Sequence, residues 1–477
     1  MYIKNNQTIS CISLGTFLLN ILLALASLIV ASIIMFLGRD INFIVAILPL
    51  ANFIFILFLQ PIRNNEYKHI SFCLLVFYFI RNVIVPFFYT LSGYYSMYKG
   101  INNSDITTAV VLMVYETFVA YAFMCIYSVI NHTKRNIDIQ YKNINTYDHL
   151  LKFSIIFLFI FCALNYIRSD YIRECYTTIF SNNIASERYR QVNEMISYGT
   201  IDRILFTITL MFVPILQCIV PVMVIKFVKD KCGERLLSVL VGYVFIAINF
   251  FFISDSNMDT IVLTIIITIV MSKIFPKYSK KILVITSIIA ALGIVIIATL
   301  KIARAGETMS ALSNGDRLDN ITVMLSAYCP SIPNIAAGIN LPSEGRIETL
   351  FFDFYFAIPF KNTLFGLVGN NLTDIYNISN NVSSQLLPNI VQTQYYLGYI
   401  LSPLMSCVYI YIGFNACSKY NRENNTYKLI FYLYLMIYSV MDCVTANASI
   451  FLRGFLQVYL IIYILGKLTS IKVKQKI

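Results

Sequence analysis

Two stretches of this chain place an arginine and a glycine with ten residues between them. The first, 188-RYRQVNEMISYG-199, runs from Arg188 to Gly199, and the second, 304-RAGETMSALSNG-315, runs from Arg304 to Gly315. A guanidinium group stays charged at any working pH and presents a planar fork of donors that grips phosphate or carboxylate with two parallel hydrogen bonds. Arg190, Arg203, Arg317 and Arg453 extend the set, and together they suit an anionic ligand. Ten residues make about three helical turns, and glycine favours the left-handed position that ends a helix. Each stretch therefore reads as a short helix with its arginine near the start, where free N–H groups also attract anions, and with Gly199 or Gly315 at the end. The competing reading is that Arg188, Arg190 and Arg304 pair with Glu187, Glu194 and Glu307 and only solvate their loops. Carboxylates able to act as a base toward a hydroxyl are Asp255, Asp259, Asp316 and Asp319. Each also fits a turn or a helix cap, and the sequence does not choose among them.

The elements that must position these residues are apolar. Of 477 residues, 58% are hydrophobic and only 13% charged, with a mean hydropathy of +0.71. A soluble chain carries about 25% charged residues. Here runs of about 20 apolar residues recur from end to end, each long enough to cross about 30 Å of hydrocarbon as a helix. The expected fold is an all-α polytopic membrane protein forming one integral membrane domain over 1–477. It has about twelve transmembrane helices, near 11–37, 41–60, 69–91, 107–130, 151–167, 204–225, 236–253, 259–272, 282–300, 391–414, 428–442 and 449–466. The first run reads as a retained helix rather than a cleaved signal peptide.

Basic residues orient these spans. Lys134, Arg135, Lys142 and Lys152 fall between spans four and five, Lys226, Lys229, Lys231 and Arg235 between six and seven, and Lys273, Lys277, Lys280 and Lys281 between eight and nine. Cytoplasmic segments attract such residues, so both termini are expected in the cytoplasm. The net charge of +12 reads as this topology signal, with no nucleic-acid partner. Two outer connections are long, about 168–203 and about 301–390, and loops of that length usually carry function. The second contains 321-ITVMLSAYCPSIPNIAAGIN-340, broken by Pro330 and Pro333, and 349-TLFFDFYFAIPFKNTLFGLV-368, which carries Asp353, Pro359 and Lys361. Both read as interfacial or re-entrant helices.

Charges inside spans are functional or structural by default. Arg81 and Glu116 each lie about 15 Å from the outer ends of spans three and four and are expected to pair in a structural role. Asp442 is the expected partner of Arg453 across a short loop. The eleven cysteines are scattered without a CxxC, and no phosphate-binding, dinucleotide-binding or zinc-protease motif occurs. No metal and no cofactor is expected. His69, His132 and His149 all map to the inner side, so an outer-face histidine base does not fit this topology.

The layout resembles the O-antigen polymerase (Wzy) family of bacterial inner membranes, which have about twelve spans and two dominant periplasmic loops, the third and fifth. Arg-x10-Gly motifs occur in those loops in some members, and the two stretches here fall in the third and fifth outer loops. The run 385-QLLPNIVQTQYYLGYILSPLMSCVYIYIGF-414 is similar to the family's run into a late helix. The chain departs from the family after span seven, where 254-SDSNMD-259 stands in place of a Gly-Ser-Arg-like stretch.

The resemblance implies a metal-independent glycosyltransferase in the bacterial cytoplasmic (inner) membrane. It would join undecaprenyl-pyrophosphate-linked repeat units into O-antigen or capsular polysaccharide on the outer face. Donor and acceptor would be lipid-linked glycans, with membrane lipids, a chain-length regulator and a flippase as further partners. Arg188, Arg190, Arg203, Arg304, Arg317 and Arg453 would hold the pyrophosphate, and Asp255, Asp259 or Asp319 would serve the acceptor hydroxyl. A lipid-linked oligosaccharide flippase and an O-antigen ligase are the alternatives. The long outer loop weighs against the first, and the lack of an outer histidine weighs against the second.

Overall fold

The computed structural model describes residues 14–37, 40–59, 67–94, 96, 98, 100–132, 149–169, 199–248, 257–286, 288–289, 317–342, 345–359, 369–382, 385–423, 425–444 and 447–474. Its regular elements are all helical. The amino-terminal half holds α1 (Leu14–Phe36), α2 (Asp40–Leu59), α3 (Lys68–Phe79), a π-helical turn (Ile80–Ile84), α4 (Val85–Leu91), α5 (Asn103–His132), α6 (His149–Arg168), α7 (Thr200–Cys232), α8 (Leu236–Ile248) and α9 (Asn257–Ile274). Short helices follow: α10 (Arg317–Tyr328), α11 (Ile332–Ile339), α12 (Arg346–Ala357), α13 (Leu372–Ser379) and α14 (Asn389–Leu397). The chain closes with α15 (Leu404–Arg422), α16 (Thr426–Val444), α17 (Ala448–Gly454), a second π-helical turn (Phe455–Tyr459) and α18 (Leu460–Lys474).

Among the described residues, six helices are long and apolar enough to cross a membrane: Phe17–Phe36, Ile70–Leu91, Asn103–Asn131, Thr200–Cys232, Thr426–Val444 and Ala448–Leu468. A bent pair, Val262–Ile274 and Pro276–Thr286, meets the test jointly across a 114° bend. The apolar helices turn large side chains both inward and outward. Leu22 and Ile29 on α1, Phe43 and Phe58 on the shorter apolar helix α2, and Phe153 and Phe159 on α6 are exposed, as expected of helices that are hydrophobic all round and meet lipid.

The tenth expected span, 391–414, is not one helix. The chain breaks at Gly398, whose φ of +82° belongs to the left-handed region that favours glycine, and α15 starts only at Leu404, after Pro403. The break lies inside an apolar run, so α14 is a short separate helix.

Three cores hold the bundle together. One joins α7, α9, α16 and α18, and another joins α1, α2, α3, α5, α15 and α16. The third is different in kind. It packs α2, α4 and α5 against the short helices α11, α13 and α14 through Ile332, Ile335, Leu372, Tyr376, Ile390 and Val391. The segment expected to be an outer loop is thus partly built into the interior.

Candidate functional site

Two buried polar centres hold this inserted segment, and α14 connects them. The first is built on Arg81 and Glu116, whose side chains are 1% and 0% exposed and whose Nη1 and Oε2 atoms are 2.6 Å apart. Arg81 belongs to the π-helical turn, where the Val85 N–H donates to the Ile80 carbonyl five residues back. Glu116 Oε1 accepts a hydrogen bond from Ser406 Oγ at 2.5 Å, and Ser406 Oγ accepts one from Asn389 Nδ2 at 3.2 Å. Arg81 Nε donates to the Pro330 carbonyl at 2.9 Å, and Ser331 Oγ donates to the Arg81 carbonyl at 2.8 Å. A buried ion pair persists only where further hydrogen bonds satisfy its remaining valences, and these contacts supply them.

They also fix a hairpin. Thr322 Oγ1 on α10 donates to the Phe88 carbonyl, Pro330 meets Arg81, and Asn340 Nδ2 at the end of α11 donates to Asp105 Oδ1. The chain therefore runs inward along α4, turns at Arg81 and returns along α5. Phe88 to Arg81 is about 10 Å along a helix, and Glu116 to Asp105 is about 16 Å. The turn follows from the sequence. Pro330 lacks an N–H and disfavours helix before it, Pro333 lies in the first turn of α11, and the Ser331 N–H donates to Asn334 Oδ1. The stretch 321–340 is thus a helical hairpin. Its return arm packs closely on α14, because a Cβ on Gly338 would come within 2.5 Å of Val391 Cγ1. Above it, Asn334 Nδ2 donates to Tyr98 Oη and the Tyr376 hydroxyl donates to the Asn334 carbonyl. Burial pushes the Tyr98 phenol up to about 12, so it stays neutral.

The second centre is Asp353 on α12, 5% exposed. Its Oδ1 accepts from the Leu372 N–H at the start of α13, and its Oδ2 accepts from Gln392 Nε2 and from the Tyr396 hydroxyl on α14, each at 2.8 Å. Gln392 in turn accepts from the Ala448 N–H and donates to Ser449 Oγ at the start of α17. Asn447 Nδ2 donates to Thr373 Oγ1. One carboxylate thereby ties four short helices into one body. Burial, and after it the neighbouring Asp353 charge, hold the Tyr396 phenol well above its usual range. Arg346 at the start of α12 is exposed, with its guanidinium stacked 5.1 Å from the Tyr395 ring centroid.

Arg188, Arg190, Arg304, Gly315 and Asp255 lie outside the described residues, so the pairing of the two arginine stretches is not seen. Arg203 and Asp202 are in the first turn of α7, and Arg168 at the end of α6 bridges to Asp202 at 3.0 Å. Arg317 is the first residue of α10, Asp319 lies in its first turn and is half-buried, and Asp259 lies in the first turn of α9. Arg453 is exposed on α17 while Asp442 is 2% exposed, and no ion pair joins them among the described residues.

Gly199 corrects the expectation placed on it. It does not end a helix in the left-handed region. It precedes α7 as its N-cap with φ −58° and ψ 152°, conformations open to any residue. The acidic Asp202 in the first turn of α7 favours a helix start at this point. Missed in the sequence were Ser406, Asn389, Gln392 and Tyr396, all uncharged polar residues inside apolar runs.

Among the described residues, no group of three or more His, Cys, Asp or Glu side chains could hold a metal ion. No protein-family model, no curated protein and no solved structure matches this chain.

Proposed function

We propose that this chain polymerises lipid-linked oligosaccharide repeat units on the outer face of a bacterial cytoplasmic membrane. The reading rests on the resemblance in layout. The structural observation that supports it best is the treatment of the long segment after residue 316. A mere connector would run over the surface, since a buried loop strands its backbone polar groups. This segment instead enters the bundle, turns on a buried Arg81–Glu116 pair and organises four short helices around Asp353. A transferase that joins two lipid-anchored glycans needs a rigid outer chamber in which donor and acceptor are held in register, and this assembly supplies a frame for one.

In this proposal the chain crosses the membrane about twelve times with both termini inside, and α15 forms the tenth crossing. Arg188, Arg190, Arg304 and Arg317 bind the carrier pyrophosphate, whose departure leaves a charge that guanidinium groups stabilise without metal. Arg203 and Arg453 hold the lipid head near the outer helix ends. An acid among Asp255, Asp259 and Asp319 takes the proton of the acceptor hydroxyl.

The test uses the purified protein with lipid-linked repeat units and reads the ladder of polymer lengths. Arg304→Ala and Arg188→Ala are expected to lose long polymer, with the Lys variants intermediate because Lys keeps the charge but loses the fork. Wild-type ladders from both Ala variants at wild-type abundance would remove the arginines from the reaction. In the host, deletion is expected to leave a single repeat unit on the surface. A surface with none would favour a flippase.

A further inference from the structure

Asp442 is a buried acid that the proposed chemistry does not use. It lies on α16, 2% exposed, and its Oδ2 atom has no hydrogen-bond partner among the described residues. Arg453, expected to neutralise it, is exposed on α17, and no ion pair reaches Asp442 among the described residues. The packing of α15 on α16 fixes what lies opposite. A Cβ on Gly413 would come within 2.5 Å of Ser439 Oγ, and Cys443 Sγ lies 3.8 Å from the Ser406 carbonyl oxygen. The two helices therefore run antiparallel, and Tyr409 stands level with Asp442 between these two contacts. Tyr409 is 1% exposed, and its ring packs on Phe451 with centroids 5.2 Å apart. Its hydroxyl also has no hydrogen-bond partner among the described residues, and it lies within electrostatic reach of the Asp442 carboxyl.

We propose that Asp442 is a proton-binding site, its carboxyl carried protonated and giving its hydrogen to Tyr409 Oη. A carboxylate removed from water with neither a cation nor a donor takes up a proton instead. Once protonated, Oδ2 becomes a donor, and one hydrogen bond to Tyr409 gives both oxygens a partner. The other groups facing the carboxyl are phenols. Tyr438 lies one turn earlier on α16, and Tyr459 reaches in from the second π-helical turn, with ring centroids 5.3 Å apart. Their hydroxyls are paired with each other, so they do not complete the shell of oxygens that a metal cation needs. Cys443 points instead to Tyr78 and the Ser406 carbonyl, and the Arg81–Glu116 pair lies beyond them. From α7, Cys218 meets Tyr434 two turns below. Two buried acids near Ser406 are thereby neutralised differently, Glu116 by a guanidinium and Asp442 by a proton. π-Helical turns recur at functional sites, and each of the two in the described residues stands beside one of these acids.

The experiment takes infrared spectra of the full-length protein in nanodiscs, in neutral sodium-free buffer, and subtracts the spectrum of Asp442→Asn. The difference should contain the carbonyl stretch of a protonated carboxylic acid. In Tyr409→Phe the same band should persist at a shifted frequency, since the carboxyl loses its acceptor. Added sodium chloride should leave the band unchanged. Asp442→Asn, neutral and able to donate from its amide, should melt within about 2 °C of the wild type. A difference spectrum holding only carboxylate bands would overturn the proposal, as would loss of the carboxylic band on adding sodium, which would make this a metal-ion site. A band unmoved in Tyr409→Phe would overturn the pairing with Tyr409. A larger fall in the melting point of Asp442→Asn would mean that Asp442 is ionised and held by a cation. None of these readouts depends on polymer synthesis, so this inference and the proposed function stand or fall separately.

Discussion

Replacing Arg81 by Ala removes two interactions at once. Glu116, with 0% exposure, keeps only the Ser406 hydroxyl, and a carboxylate stranded in this way costs about 3–5 kcal/mol. The Pro330 carbonyl at the hairpin tip loses its charged donor, a bond worth about 1.5–3 kcal/mol in its own right. The two terms overlap, since both report loosening at one point, but either is a large share of a stability of about 5–15 kcal/mol. The melting midpoint in detergent should fall by about 5 °C or more. Cys329, 7% exposed beside the tip, should become reactive to maleimide. Arg81→Lys should fall between, because one ammonium cannot serve Glu116 and Pro330 with a fork. Exchanging the charges, Arg81→Glu with Glu116→Arg, should not rescue, since it aims a carboxylate at the Pro330 carbonyl and a guanidinium at Ser406. If Arg81→Ala melts with the wild type and Cys329 stays protected, the pair does not anchor the hairpin and the assigned role is wrong.

Four further outcomes are expected. Tyr396→Phe should destabilise the protein by about 1.5–3 kcal/mol at neutral pH, by loss of a donor to Asp353. Because the phenol is raised in the folded state, its contribution is complete below about pH 10 and fades above it, so wild type and variant should converge only in strongly alkaline melts. Gly398→Ala should cost about 1 kcal/mol or more at its positive φ. Gly199→Ala, at an N-cap with ordinary angles and only Asp202 Oδ2 within 3.8 Å of its Cβ, should change stability by less than about 1 kcal/mol. Cysteines introduced at Ser181 and Ser343 should react with an impermeant thiol reagent in intact spheroplasts, and reaction only after lysis would invert the topology.

The helices were legible because hydropathy over about 20 residues is a strong signal. The breaks were legible only where proline announced them, as at Pro330 and Pro333. The Gly398 break escaped because its neighbours are all apolar or aromatic, so a window average passes over it. Arg81 and Glu116 stood out as charges at equal depth, and helical rise alone puts them at one level. Their partners did not stand out, because Ser406, Asn389 and the Pro330 carbonyl carry no charge and lie far off in sequence, 290 residues from Glu116 to Ser406 and 249 from Arg81 to Pro330. Asp353 reads in the sequence as an interruption of an apolar stretch. Only the folded chain shows that Gln392, Tyr396 and the start of α13 converge on it.

The π-helical turn at Ile80–Ile84 makes the position of Arg81 a matter of counting as well as chemistry. A π turn accommodates one extra residue in a helix, so the faces before and after it are out of phase by about 100°. Deleting a single residue within 80–84 would let the helix close into regular α geometry with its two halves still facing as they do now, because the π turn is what absorbs that residue. Adding or removing a residue on either side while the π turn stays would instead rotate one half against the other by about 100° and turn Arg81 or Thr90 toward lipid with every side chain intact. The charged centre is thus addressed by position along the helix as much as by the arginine itself.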